Sequence, residues 1–309
     1  RSQAPFITPA LPRRLAGARG RNVVMWLHLA SLTAACRPPV SETRFARLAA
    51  AAISTGRPLR LTNRSVQLHA PFRLRSSQKL TIVGGDFHGD GHSLFQVEGS
   101  RQGLLDLRGV RLLHASSAER SERRARGAAI FVRGKGQLAL ERCELSSETG
   151  FGLWLVQRAR AAARDSHFHG GRRSSIVAFE QASLDLLGSR LSGAAPHAIC
   201  ARGETRLAVR RCTIDGSAVR AIYAYHSASL EVSDCSISGT RSAEAAAVEV
   251  EALRPTDCAS LSLSGNAFAD NAGGDLAVRG NVHRQGGAVV GAGAAAGDES
   301  GADPRRLST

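Results

Sequence analysis

Residues 138–145 read LALERCEL, 161–168 AAARDSHF, 184–191 LDLLGSRL, 207–214 LAVRRCTI and 230–237 LEVSDCSI. Their first residues lie 23 apart four times in succession, and self-similarity at a fixed period marks a repeat architecture. Offsets 0, 2 and 7 are apolar in these segments, and offset 5 is small. Leu80 (LTIVGGDF), Leu105 (LDLRGVRL) and Leu261 (LSLSGNAF) extend the register, with longer intervals where loops are inserted. The offset-5 column then reads Gly85, Val110, Cys143, Ser166, Ser189, Cys212, Cys235 and Asn266.

This half-pattern also fits a leucine-rich repeat, which the rest of each coil argues against. A leucine-rich repeat needs leucine three residues before offset 0, where this chain has Lys135, Arg158, Gln181, Glu204, Ser227 and Cys258. Each coil instead carries a second alternating stretch: Gly152-Leu-Trp-Leu-Val, Ser175-Ile-Val-Ala-Phe, Ala198-Ile-Cys-Ala-Arg, Ala221-Ile-Tyr-Ala-Tyr and Ala247-Val-Glu-Val-Glu. Period-2 alternation makes strands. The spacing therefore predicts an all-β fold, a right-handed single-stranded parallel β-helix of coils about 23 residues long. No single coil closes a core, so stacking must bury the Leu, Ile, Val and Phe columns.

A solenoid needs capped ends. Residues 41–56 (SETRFARLAAAAISTG) predict an amphipathic cap helix, with Ser41 as N-cap, Phe45, Leu48, Ala49, Ala52 and Ile53 on one face, and Gly56 as the stop. Leu59, Leu61, Val66, Leu68, Phe72 and Leu74 supply a first, less regular coil over 57–79. The expected organisation is an N-terminal segment over 1–40, the β-helix over 41–280, and a Gly/Ala-rich tail without periodicity over 281–309. Residues 23–35 (VVMWLHLASLTAA) follow several arginines and precede Cys36. They read either as a targeting or anchoring segment or as a further capping helix.

The cap helix, the phrase ISTGRPLRL…VQLHAPFRL…KLTIVGG and the coils over 80–280 resemble the pectin-lyase-like superfamily, in particular its generic parallel-β-helix-repeat members. The resemblance covers about three-quarters of the chain. It implies the fold and leaves activity open, since that superfamily spans polysaccharide lyases, hydrolases, epimerases and non-catalytic scaffolds. Its hydrolase motifs (an Asn-Thr-Asp tripeptide, paired aspartates, Arg-Ile-Lys) are absent from this chain.

Composition limits the partners. The net charge is +15, but only Lys79 and Lys135 are lysines, leaving 39 of 41 basic residues as arginine beside abundant alanine. GC-rich coding produces that pattern without selection for binding. Aromatics, which nucleic-acid binders interleave with their charges, make up only 5%. A nucleic-acid partner is disfavoured, and a polyanion-binding scaffold rests on charge alone. No stretch reaches the ~20 apolar residues of a membrane span. The six cysteines do not form a disulfide framework; Cys212 and Cys235, neighbours in the offset-5 column, leave room for an opportunistic bridge. Free thiols favour a reducing compartment, whereas residues 23–35 leave secretion open. No cofactor is implied.

Three groups of residues are candidates for a site. On the first strand, Asp185 and Glu231 point outward two coils apart, about 10 Å, with Arg210 between them. Glycoside hydrolysis uses carboxyl pairs about 5–9.5 Å apart, a range this pair comes near, but the central arginine favours an ion-paired surface ladder. Asp86, His88, Asp90 and His92 form a Gly-rich cluster with metal-ligand or acid–base chemistry. The alternating stretch places Phe131, Trp154, Val177, Phe179, Tyr223 and Tyr225 outward, and an outward aromatic strip marks contact with a ligand or with another part of the chain. The favoured function is a non-catalytic β-helix that binds a protein or glycan on this lateral face. The alternative is a carbohydrate-active lyase, hydrolase or epimerase.

Overall fold

In a computed structural model of the chain, the described residues are 38–115, 127–148 and 150–285. The chain divides into two units, Arg1–Cys36 and Arg37–Thr309, and all described residues belong to the second. The apolar stretch 23–35, the arginines at 120–126 and the tail from 286 onward lie outside the described residues.

Each coil contributes one strand to each of three parallel sheets, of ten, nine and nine strands. We call these sheets I, II and III in the order the chain visits them. One full coil runs Gln137–Glu141 in sheet I, Glu144–Ser147 in sheet II and Phe151–Leu155 in sheet III. The 23-residue period is a one-to-one register: Leu138 pairs with Ala161, Ala161 with Leu184, Leu184 with Leu207 and Leu207 with Leu230. The architecture is a parallel β-helix. It differs from the sequence reading in one respect: offset 7 does not end the first strand but belongs to a separate short one. The aromatic stretch is therefore the third strand of the coil, not the second.

The turn between sheets I and II explains the small offset-5 column. At offset 4, Gly84, Gly109, Arg142, Asp165, Gly188, Arg211, Asp234 and Gly265 all have φ between +48° and +70°. This left-handed conformation turns the chain sharply. The next side chain then points inward, where only a small one fits. Its polar atom accepts the backbone N–H of the preceding coil: Ser166 Oγ takes Cys143 N (3.1 Å), Ser189 Oγ takes Ser166 N (3.2 Å) and Asn266 Oδ1 takes Cys235 N (3.0 Å). Cys212 N donates to Cys235 Sγ in the same way (3.4 Å), and both thiols are free, with no disulfide.

The helix Glu42–Thr55 covers the N-terminal end. Ser41 caps it by accepting from Arg44 N, and Gly56 ends it at φ +67°. Phe45 is fully buried and meets Phe72 and Phe87 edge-on at 5.1 and 5.3 Å. This plug lies over the first coil, whose Leu61, Val66, Leu68 and Leu74 are buried. Burying a leucine or phenylalanine side chain contributes about 1.5–3 kcal/mol, so the stacked columns stabilise coils that could not stand alone. At the other end, Val282–Gln285 pairs with Ala259–Ser264 and carries sheet I past residue 280. No helix among the described residues is long and apolar enough to cross a membrane.

Candidate functional site

Sheet III is parallel and in register, so its outward side chains stack into columns along the solenoid, one strand spacing of about 4.8 Å apart. One column runs Phe131, Trp154, Val177, Cys200, Tyr223 and Glu249. Two residues further on, a second runs Phe179, Arg202, Tyr225, Glu251 and Arg279. Trp154 touches Phe131 (5.1 Å between ring centroids), Phe151 (5.6 Å) and Phe179 (6.5 Å). Tyr223 stacks on Tyr225 at 4.8 Å and 20°. All five predicted aromatics point outward and are half-buried. Val177 shares their outward register but is only 2% exposed. Trp154 Nε1 has no acceptor among the described residues.

Towards the C-terminal coils this face becomes charged, and its carboxylates are buried. Glu249 has 0% side-chain exposure and pairs with Arg220, itself 19% exposed. Arg279 Nη1 lies 3.6 Å from Glu249 and 3.2 Å from Glu251. Tyr223 Oη donates to Glu251 Oε2 at 2.6 Å, and Arg220 lies over the Tyr223 ring at 4.3 Å. Burial and the Glu251 carboxylate both push the Tyr223 phenol up. Burial raises Glu249, but hydrogen bonds from Arg220 and Glu251, with the charges of Arg220 and Arg279, outweigh it and hold the carboxyl below its usual range. Beside Tyr223, at 5.3 Å, His197 is pushed down to about 4 by burial and then by Arg220. His226 Nδ1 meets Asp257 Oδ2 at 2.8 Å. The face thus holds aromatic rings, a neutral imidazole, a protonated phenol, a paired acid cluster and the exposed Arg202.

Sheet I is different. Arg210 bonds Glu231 at 3.0 Å and reaches Asp185 at 3.4 Å, with the three side chains 40%, 48% and 53% exposed. Its guanidinium holds the Glu231 carboxyl below the usual range, the wrong direction for a general acid, which needs a raised pKa. Asp106, Arg108 and Glu141 continue the same ladder, with Arg108 at 2.8 Å from Asp106 and 3.9 Å from Glu141.

The His/Asp cluster splits. Asp86, His88 and Asp90 line the outer face of one sheet II strand, Asp86–Asp90. His92 lies in the turn beyond, with Nδ1 bonded to the Ser93 carbonyl oxygen at 2.9 Å. Among the described residues, no group of three His, Cys, Asp or Glu side chains is placed to hold a metal ion.

Sequence reasoning missed the buried charges of sheet III. The stretch Ala247-Val-Glu-Val-Glu already carried them, since its two glutamates fall beside Tyr223 and Tyr225 once the columns are continued.

Residues 108–283, more than half of the chain, match the family model described as the right handed beta helix region. Among solved structures, the alginate lyase from Paenibacillus sp. str. FPU-7 is similar at 13% identity, covering 80% of this chain and 99% of that one, with a TM-score of 0.44. The Azotobacter vinelandii mannuronan C-5 epimerase AlgE4 A-module is similar at 12% identity over 81% and 96%, with a TM-score of 0.35. Likenesses this distant carry no argument about activity. No curated protein matches the chain.

Proposed function

We propose that this chain, which belongs to the right-handed beta helix family, binds an elongated glycan along the outer face of sheet III without transforming it. The observation that carries this reading is the pair of outward columns in which Phe131, Trp154, Phe179, Tyr223 and Tyr225 alternate with Arg202 and the Glu251 cluster. A protein interface core is depleted of charge, and the only large hydrophobic exposed among the described residues is Leu253, off this face. Half-buried rings interleaved with hydrogen-bonding groups suit a partner that is itself amphipathic, with C–H faces and hydroxyls. Successive coils repeat the surface at a constant step, so the face recognises a polymer better than a compact molecule. Trp154→Ala, tested on a glycan array, loses about tenfold or more in binding if one ring is a central contact. Glycan binding unchanged in that variant, or capture of proteins only, would contradict this reading.

One observation favours the second reading, a lyase. Removing a proton next to a uronate carboxylate requires a neutral base, a cation for the carboxylate and a proton donor for the leaving oxygen. His197, Arg220 and Tyr223 bring these three types together. Against it, Arg220 is already committed to Glu249 and Tyr223 to Glu251. Incubation with uronate polymers separates the readings: unsaturated products that vanish in His197→Ala support a lyase, and intact polymer supports binding alone.

A further inference from the structure

Charge is distributed unevenly along the chain. Residues 1–79 hold 14 of the 41 basic residues but only one of the 26 acidic ones, Glu42, so +13 of the net +15 falls in the first quarter of the sequence. The remaining coils balance their charges almost completely, 27 basic against 25 acidic. Coding bias supplies arginine everywhere, but it does not remove acids from one end. The imbalance sets this end apart from the body of the solenoid.

The fold gathers that charge at the capped end. Arg44 and Arg47 stand on the helix Glu42–Thr55, and Arg57 lies just beyond its Gly56 stop. Arg60, Arg64, Arg73, Arg75 and Lys79 stand on or beside the end strands of the three sheets. Seven of the eight are exposed, Arg64 is half-buried, and none has an acidic partner among the described residues. Arg108 and Arg210 of sheet I, by contrast, are paired with acids. The one acid of this end is already engaged: Glu42 accepts the backbone N–H groups of His69 and Ala70 at 3.3 Å and meets His69 Nδ1 at 3.2 Å.

We infer that this basic end docks the solenoid end-on against an anionic phospholipid bilayer. The eight cations are spread over the helix and the first coil rather than lined along a groove, so they suit a plane of many anions that needs no register. A bilayer with acidic headgroups is such a plane, and it attracts basic residues within about a Debye length, about 8 Å at physiological salt. The outer face of the helix carries Ala46, Ala50 and Ala51 and no exposed large apolar side chain, so this end adsorbs by charge and does not insert. A single-stranded nucleic acid is a poorer partner, since it needs rings to stack on. Phe45 is fully buried, and Phe72 packs edge-on against Phe45 and Phe95. The chain enters the solenoid at this same end, through Val40, which bridges to Val66. The sequence before Val40 adds six arginines, no acid and the apolar run 23–35, a composition that favours the same partner. End-on docking leaves the lateral face of sheet III free, so the inference stands independently of the proposed function.

The test is co-sedimentation of the full-length chain with phosphatidylcholine vesicles, with and without about one-third phosphatidylserine, at low and high salt. Binding is expected to the acidic vesicles alone and should fall steeply with salt. The variant Arg44→Gln/Arg47→Gln/Arg57→Gln/Arg60→Gln is expected to lose about tenfold or more in vesicle affinity. A second variant, Arg73→Gln/Arg75→Gln, leaves the helix untouched and should lose about threefold or more. Arg164→Gln/Arg172→Gln/Arg211→Gln/Arg241→Gln removes as much charge from exposed arginines of the body and stays within about twofold of the parent. The assignment fails if the body variant loses as much as the cap variant, if neutral vesicles bind the chain as well as acidic ones, or if no vesicle binds it. It fails equally if poly(dT) binding depends on the cap arginines and vesicle binding does not.

Discussion

Sheets I and III are built from the same coils, in the same register, yet their outer faces carry their charges in opposite ways. On sheet I, Asp185, Arg210 and Glu231 sit about half exposed and satisfy one another across coils. On sheet III, Glu249 has no exposure at all, and its closest partner, Arg220, is 19% exposed and lies over the Tyr223 ring. Exposed pairs contribute roughly 0–1 kcal/mol and are screened by salt. Removing one partner of a buried pair leaves an uncompensated charge and costs several times more. The contrast teaches that outward register alone does not identify a site. On a solenoid every coil supplies outward polar residues, and what separates a working face from a solvated one is how far its polar groups are withdrawn from water and what surrounds them.

The largest expected effect is on the buried cluster. Glu249→Ala strands Arg220 beside Tyr223 and should destabilise the fold by about 3–5 kcal/mol, read from urea unfolding. A loss below about 1 kcal/mol, the range of an exposed pair, would place Glu249 in the same class as the sheet I acids and dissolve the contrast.

Acid should discriminate next. His114, 2% exposed on sheet II, and His197 on sheet III are each pushed down to about 4, chiefly by burial. Unfolded imidazoles titrate near 6.5, so between about 6.5 and 4 the unfolded chain takes up protons that the native one refuses. Stability contributed above that window is therefore lost as pH falls through it, by on the order of 3 kcal/mol per histidine. His197→Asn should flatten the pH dependence by one proton; an unchanged slope would show that His197 stays open to protonation in the fold. The smallest effect belongs to sheet I. Asp185→Asn should change unfolding free energy by no more than about 0.5 kcal/mol, and less still at high salt.

Much of this was legible from residues alone. The 23-residue period, the small offset-5 column and the cap helix all come from strong local rules: apolar alternation, a left-handed turn and a capping serine. The middle strand was not legible, because from His167–His169 onward it is three residues long with one core residue, such as Phe168 or Leu191, too short for alternation to register. The outward aromatics followed from period 2, but the burial of Glu249 did not. Tyr223 and Glu249 are 26 residues apart rather than 23, because a loop intervenes, and constant spacing no longer names the neighbour. The basic end was hidden for another reason: net charge was read over the whole chain, and only the fold gathers Arg44, Arg60 and Arg73 at one end.

Hydroxyl-radical footprinting of the chain with and without a bound glycan tests the central contrast most directly. Protection should fall on Trp154, Phe179, Tyr223 and Tyr225 of sheet III, with the outward Leu187 of sheet I unchanged. Protection confined to the sheet I strands Ser183–Leu187 and Ser229–Ser233, with the aromatic columns reacting as in the free protein, would contradict the account.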